Sequence, residues 1–228
     1  MKPTFWGYER ENGRVGVRNH VLVMPLDDLS NATAIGVEKL IHGAISIPHP
    51  YGRLQFGPDL DLYFRTIAGF GRNPNVASAI VVGIEPIWTE RVVREIAKTG
   101  KPVEGVSIEG SGDLRTIERA SRIARDYVIA ASELRRSEFD ASSLVVSTKC
   151  GESDTTSGLA SNPIVGATYD LLAKEGATLL FGETSEVTGA EHLIADRAAS
   201  PELRRKFLEM FHEYNREITS KGADLLGS

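Results

Sequence analysis

Two short stretches of this sequence carry more reactive side chains than an ordinary turn requires. Lys149-Cys150-Gly151-Glu152-Ser153-Asp154-Thr155-Thr156-Ser157-Gly158 offers an amine, a thiol, two carboxylates and four hydroxyls, with glycines that let backbone approach a ligand closely. Helix capping explains one or two of these groups but not all of them. Gly182-Glu183-Thr184-Ser185-Glu186-Val187-Thr188-Gly189-Ala190-Glu191-His192 adds three carboxylates and an imidazole. Oxygen and imidazole together suit iron(II), manganese or zinc. Glu191 and His192 are adjacent and would point about 100° apart on a helix, so Glu183 or Glu186 pairs more easily with His192.

Two further loops are polar. Pro48-His49-Pro50-Tyr51-Gly52-Arg53-Leu54-Gln55-Phe56-Gly57 places an imidazole, a phenol, a guanidinium and an amide on a proline-stiffened segment. Arginine presents a rigid fork of donors suited to carboxylate, sulfonate or phosphate. The plainer reading is a structural loop, with Arg53 pairing with Asp59 or Asp61. In Asp27-Asp28-Leu29-Ser30-Asn31, Ser30 or Asn31 serves as a helix cap, or Asn31 contacts a ligand.

These loops all follow apolar runs. Strands are predicted at 20–25, 44–47, 79–84, 103–108, 144–148 and 178–181, rich in Val, Ile or Leu and without strict alternation. Strands buried on both faces read this way. Between them lie helical patterns. One starts near Asp113, with Ile117, Ala120, Ala124, Val128 and Ala131 on one stripe. A second covers 89–99, and a third opens at Asn162-Pro163 and stops at Gly176. A last helix follows Ser200-Pro201-Glu202, with Leu203, Phe207, Met210, Tyr214 and Ile218 on one face. The expected fold is α/β: an open, mainly parallel, doubly wound sheet of about five or six strands, Rossmann- or flavodoxin-like in three layers. Residues 1–19 read as an irregular arm whose arginines, Arg18 among them, either pack on the domain or reach an anion or a second chain. Residues 20–198 read as the α/β domain and 199–228 as a C-terminal helix. In such sheets ligands gather beyond the carboxyl ends of the strands, so the loops at 49–55, 149–158 and 183–192 are expected to converge.

Composition removes several classes of function. The 228 residues carry a net charge of -5, so nothing calls for nucleic acid. The single cysteine, Cys150, permits no disulfide within the chain and points to a reducing, cytoplasmic setting. It also falls short of the thiolates an iron–sulfur cluster takes. The N-terminus lacks an apolar segment of signal-peptide length, and the longest apolar run, 79–84, is too short to span a membrane. No GxGxxG follows the first strand, and no GxxxxGK[ST] or GxSxG occurs. Gly110-Ser111-Gly112-Asp113 is only a weak anion-binding signal. His20, His42 and His212 read as structural or exposed.

Three separated motifs, in order, resemble the altronate/galactarate dehydratase family. They are Gly7-Tyr8 with Gly13-Arg14-Val15-Gly16-Val17-Arg18-Asn19, the run from Lys149 to Leu159, and the run from Gly182 to His192. The resemblance covers nearly the whole chain. The segments 27–31 and 49–57 are similar to the branch of that family that cleaves sulfolactate. The resemblance implies a lyase that carries out metal-assisted β-elimination on a 2-hydroxy acid, converting (2R)-3-sulfolactate to pyruvate and sulfite. A sugar-acid dehydratase and a non-catalytic anion-binding or assembly module are the alternatives. It implies iron(II), with manganese as the other candidate, held by Cys150, Glu183 and His192. Glu183, Glu186 and Lys149 form the implied catalytic group, and Arg53, His49, Gln55, Asn31, Ser153, Asp154 and Arg18 the implied contacts to an anionic substrate. The expected partners are a separate small subunit and, as a possibility, further copies of the chain. Family members continue past residue 228, so the chain is expected to be a fragment, or one part, of a larger enzyme.

Overall fold

The computed structural model describes residues 2–151 and 154–225. The chain divides into two compact units, Met1–Ser143 and Leu144–Ser228.

The first unit runs β1 (Thr4–Glu9), β2 (Val15–Gly16), β3 (His20–Pro25), α1 (Asn31–Leu40), β4 (Ala44–Ser46), α2 (Gly57–Arg72), β5 (Val76–Gly83), α3 (Pro86–Ala97), β6 (Val103–Ser107), α4 (Asp113–Glu133) and β7 (Ser137–Asp140). Its centre is a four-stranded sheet in the order β4-β3-β5-β6, parallel throughout. Side chains alternate across a strand, and here both faces are apolar. Leu22, Met24, Ala79 and Val81 meet Tyr63, Phe64 and Ile67 of α2 and Val92 and Ile96 of α3. Val21, Val23, Ile80 and Val82 meet Ala34 and Val37 of α1 and Ala120 and Ala124 of α4. Two helices on each face explain why these strands lack alternation in sequence. The fold is α/β, doubly wound and mainly parallel, as expected.

The arm is ordered rather than irregular. β1 pairs antiparallel with β2 and with β7, a partner about 130 residues away that local pattern cannot reveal. Arg10 is the hub. Its guanidinium is buried and donates to the Pro74 carbonyl at 2.6 Å, Asn19 Oδ1 at 3.0 Å and the Arg18 carbonyl at 2.9 Å. Asn75 Oδ1 accepts the N–H groups of Val17 at 2.8 Å and Arg18 at 3.0 Å. Both Pro74 and Asn75 lie just before β5. The arm is therefore tied to the amino-terminal edge of the sheet, opposite the edge where His49, Arg53 and Gln55 emerge. Arg18 is held away from those residues, not beside them as expected for a shared substrate contact.

The second unit contains β8 (Val145–Thr148), α5 (Asn162–Lys174), β9 (Thr178–Phe181), α6 (Glu191–Ala195) and α7 (Pro201–Ser220). The two strands are parallel and form a sheet of their own. A single sheet of about five or six strands was expected. The difference arises because α4 leads into β7, which pairs with β1 and so ends the first unit. Asn162 is the first residue of α5 and not its cap, because a π-turn at Ser157–Ser161 runs straight into the helix. Ser200 caps α7 by accepting the Leu203 N–H at 3.2 Å. The buried side chain of that helix is Phe211, whereas Leu203, Met210 and Tyr214 of the predicted face are about half exposed. Among the described residues, no helix is long and apolar enough to cross a membrane.

Two predictions follow from the first unit. A Cβ at position 16 would collide with the Pro74 backbone carbonyl, so Gly16→Ala should lower unfolding free energy by about 1–3 kcal/mol in denaturant titration. Lys101 is buried, and its Nζ donates to the carbonyls of Asn73 at 2.7 Å and Val76 at 2.9 Å. Burial, with Arg10 adding to it, holds this ammonium at about 8. The folded chain thus releases the proton more readily than the unfolded one, so stability is lowest with the amine charged and recovers as pH rises through the folded value. Relative to Lys101→Met, the native chain should gain on the order of 2 kcal/mol between about pH 7 and about pH 10.

Candidate active site

In each unit the parallel strands send their carboxyl ends to one edge, and the polar loops follow. In the first unit Asn31 neither caps a helix nor faces open solvent. Its amide donates to the His49 carbonyl at 2.7 Å and accepts the His49 N–H at 3.2 Å. Asp27 does the capping, with Oδ1 accepting the N–H and hydroxyl of Ser30 at 3.0 and 2.8 Å. The His49 ring is also engaged, with Nε2 at 3.1 Å from the Pro25 carbonyl and Nδ1 accepting the Tyr51 N–H at 3.3 Å. A carbonyl only accepts and an amide N–H only donates, so these contacts put the donor role on Nε2 and the acceptor role on Nδ1. Arg53 pairs with Glu85 at 2.8 Å and not with Asp59 or Asp61; Asp61 is taken by Arg91 at 3.1 Å. Gln55 Oε1 is buried without a hydrogen-bond partner. It lines a cavity of about 810 Å³ together with Ile47, His49, Tyr51, Tyr63 and Phe70.

In the second unit the register of the sheet does the assembling. Thr148 sits opposite Phe181, so Lys149 and Cys150 leave one strand beside Gly182 and Glu183 leaving the other. A 3₁₀ turn, Thr184–Val187, then folds Glu186 back. One donor atom each from Cys150, Glu183 and Glu186 lies within 4.8 Å of the others. Lys149 Nζ is 2.8 Å from Glu183 Oε1. That hydrogen bond, reinforced by nearby negative charge, raises the lysine above its ordinary value, which makes it a lasting cation and a poor base. Glu183 has φ +64°, the only left-handed non-glycine residue among those described. Its Oε2 is buried and unpartnered.

Not every expected residue joins this group. His192 is the second residue of α6 and is absent from the cluster of donor atoms. The turn at 184–187 and the left-handed Gly189, at φ +85°, redirect the chain before it. Asp154 is committed locally: Oδ1 accepts the Thr156 hydroxyl at 2.6 Å and the Ser157 N–H at 2.9 Å. Those bonds, the Thr156 hydroxyl first, hold its carboxyl below the usual range. Ser153 lies outside the described residues. Glu85 was missed, although a carboxylate between a strand end and Pro86 is a visible signal. Tyr63, whose hydroxyl donates to the Leu26 carbonyl, was missed with the whole of α2.

Residues 7–132 match the family model for D-galactarate dehydratase/altronate hydrolase, second domain. The chain belongs to this dehydratase family. Residues 141–228 match its C-terminal domain. Among curated relatives, (2R)-sulfolactate sulfo-lyase subunit beta of Chromohalobacter salexigens is 60% identical over 94% of this chain and 55% of that protein. Galactarate dehydratase (L-threo-forming) of Escherichia coli is 33% identical over 70% of this chain and 32% of its own length. Altronate dehydratase of Bacillus subtilis is 26% identical over 92% of this chain and 45% of its own. The chain spans about a third to a half of the length of these curated relatives.

For a member of this family a divalent cation is chemically suited to the second unit's cluster. The donors are two carboxylates and a thiol, and the buried, unpartnered Glu183 oxygen is an atom that a cation would satisfy. The backbone at 183 carries the cost of placing it there. Glu183→Gly should therefore unfold at higher denaturant than Glu183→Ala, by about 1 kcal/mol, because only glycine accepts the left-handed angle freely.

Proposed function

We propose that this chain belongs to the large subunit of a lyase that eliminates sulfite from (2R)-3-sulfolactate and yields pyruvate. The observation that carries this reading is the 60% identity to a sulfolactate sulfo-lyase subunit, against 25–33% to the sugar-acid dehydratases. The separate small subunit is inferred from that relative's designation as a beta subunit. The lone cysteine fits a reducing, cytoplasmic setting.

The chemistry assigned to the residues is as follows. A carboxylate takes the proton from the carbon beside the substrate carboxylate. The electron pair forms the carbon–carbon double bond as the carbon–sulfur bond breaks, and sulfite leaves with its electrons. The enol then gains a proton and becomes pyruvate. Sulfite is a stable anion, so its departure needs little acid assistance. Cys150 and Glu183 would hold a divalent ion, iron(II) or else manganese, which would supply positive charge to the oxygens that become negative. Glu183 is tethered by Lys149 and Glu186 is not, so Glu186 is assigned as the base. Lys149 is assigned to an anionic group of the substrate in the second unit, and Arg53 is assigned as an anion contact in the first.

The experiment is sulfite release from (2R)-sulfolactate by the whole-length enzyme with its small subunit, with iron(II) or manganese supplied. Galactarate and altronate serve as competing substrates. Turnover of the sugar acids without sulfite release would make the enzyme a hydro-lyase, and no turnover of any acid would favour an assembly module. Glu183→Gln should weaken metal binding measured by calorimetry. Glu186→Gln should weaken metal binding less than Glu183→Gln does and lower kcat by roughly 100-fold or more.

A further inference from the structure

We propose that Glu85 is a positioning residue for Arg53: it fixes the guanidinium over the carboxyl end of β3 and leaves the rest of the fork to take an anionic group of the substrate. The inference rests on the assignment of Arg53 as an anion contact.

The topology supplies the first argument. In the order β4-β3-β5-β6, β4 and β5 lie on opposite sides of β3. Arg53 belongs to the loop after β4, and Glu85 follows β5. Their 2.8 Å ion pair therefore bridges the end of β3. The intervening backbone is laid there too. The Asp28 N–H donates to the Tyr51 carbonyl at 3.0 Å, and a Cβ on Gly52 would stand 3.2 Å from Asp28 Oδ1. Crossovers leave β3 and β5 in opposite directions at this point, which is where open α/β sheets place ligands.

Glu85 is built to hold still. It occupies the N-cap position of α3 with extended backbone at φ −108° and ψ 151°, ahead of Pro86, yet its side chain makes no capping bond. Its carbonyl accepts the Thr89 hydroxyl at 2.8 Å, which fixes the main chain while the carboxylate turns to Arg53. The Trp88 ring supports the guanidinium at 5.7 Å from its centroid and is itself packed edge-on to Phe64 at 5.1 Å. Only one terminal nitrogen of Arg53 donates to Glu85. Among the described residues, Nε and the other terminal nitrogen donate to no protein acceptor. The nitrogen that donates to Glu85 keeps a second N–H, and with the neighbouring N–H on that side it forms an edge of two parallel donors, the match for a sulfonate or carboxylate.

The test uses the whole-length enzyme with its small subunit, with KM, kcat and melting temperature measured for Glu85→Ala, Glu85→Gln, Arg53→Ala and the double variant Glu85→Ala/Arg53→Ala. Glu85→Ala should raise KM for sulfolactate about three- to tenfold, with kcat within about twofold. Melting should change little, because a part-exposed pair adds little stability. Glu85→Gln keeps an acceptor and should recover part of the loss. The double variant should be no worse than Arg53→Ala alone. An unchanged KM in Glu85→Ala beside a raised KM in Arg53→Ala would overturn the positioning role and leave Arg53 as an anion contact. So would effects that multiply in the double variant, or a rise in KM that tracks a fall in melting temperature. An unchanged KM in Arg53→Ala would overturn the anion contact itself, and the positioning role with it.

Discussion

Parallel strand pairing is the constraint from which the polar architecture follows. Strands that run the same way must deliver their carboxyl ends to a common edge, whatever the helices between them do. In the first unit that rule gathers the turn after β3, the loop after β4 and the Glu85 corner after β5. In the second it sets Lys149 and Cys150 beside Glu183, although more than thirty residues separate them. Because the opposite pairing of Thr148 and Phe181 is fixed by the ladder, the cluster inherits its geometry from backbone hydrogen bonds and not from loop packing.

Each unit holds a cation in the same arrangement. Arg53 and Lys149 are each held by a single carboxylate, Glu85 and Glu183. In a protein of net charge -5, a local counter-charge keeps a cation in place without covering it. One bond orients the group and leaves its other donors open. The Glu183 tether is the costlier of the two, since a left-handed glutamate is worth roughly 1–3 kcal/mol of local strain. Its second oxygen is also withdrawn from water without a partner. Two unfavourable features fall on one residue, beside a thiol and another carboxylate, and neither is a gain in packing.

Much of this was legible in the sequence, for identifiable reasons. The strands 20–25 and 178–181 were found residue for residue, because apolar runs leave a strong local signal whether they end up buried, as in the first, or largely exposed, as in the second. The loops at 149 and 182 stood out by composition. What escaped was non-local or conformational. Nothing in the types of residues 4–9 says that their partner is Ser137–Asp140. The left-handed backbone at Glu183 contradicts ordinary preference, so propensity argues against it. His192 was grouped with the carboxylates by its distance along the chain, and the turn at 184–187 separates sequence distance from spatial distance. The face of α7 was read in part: Phe207 and Ile218 are half-buried beside the buried Phe211, whereas Leu203, Met210 and Tyr214 lie on the exposed side.

The arm carries a lesson of a different kind. Its glycine- and arginine-rich run looks like a ligand loop, yet Arg10 spends its donors on Pro74, Asn19 and Arg18, and Gly16 is small because the Pro74 carbonyl leaves no room. A search keyed to that run selects for a shape, since Arg10 and Gly16 are answerable to packing at the sheet edge opposite the first unit's polar loops. Two chains can share the arm and differ in the reaction. The residues that separate one chemistry from another must be sought where the strands end, not where the chain begins.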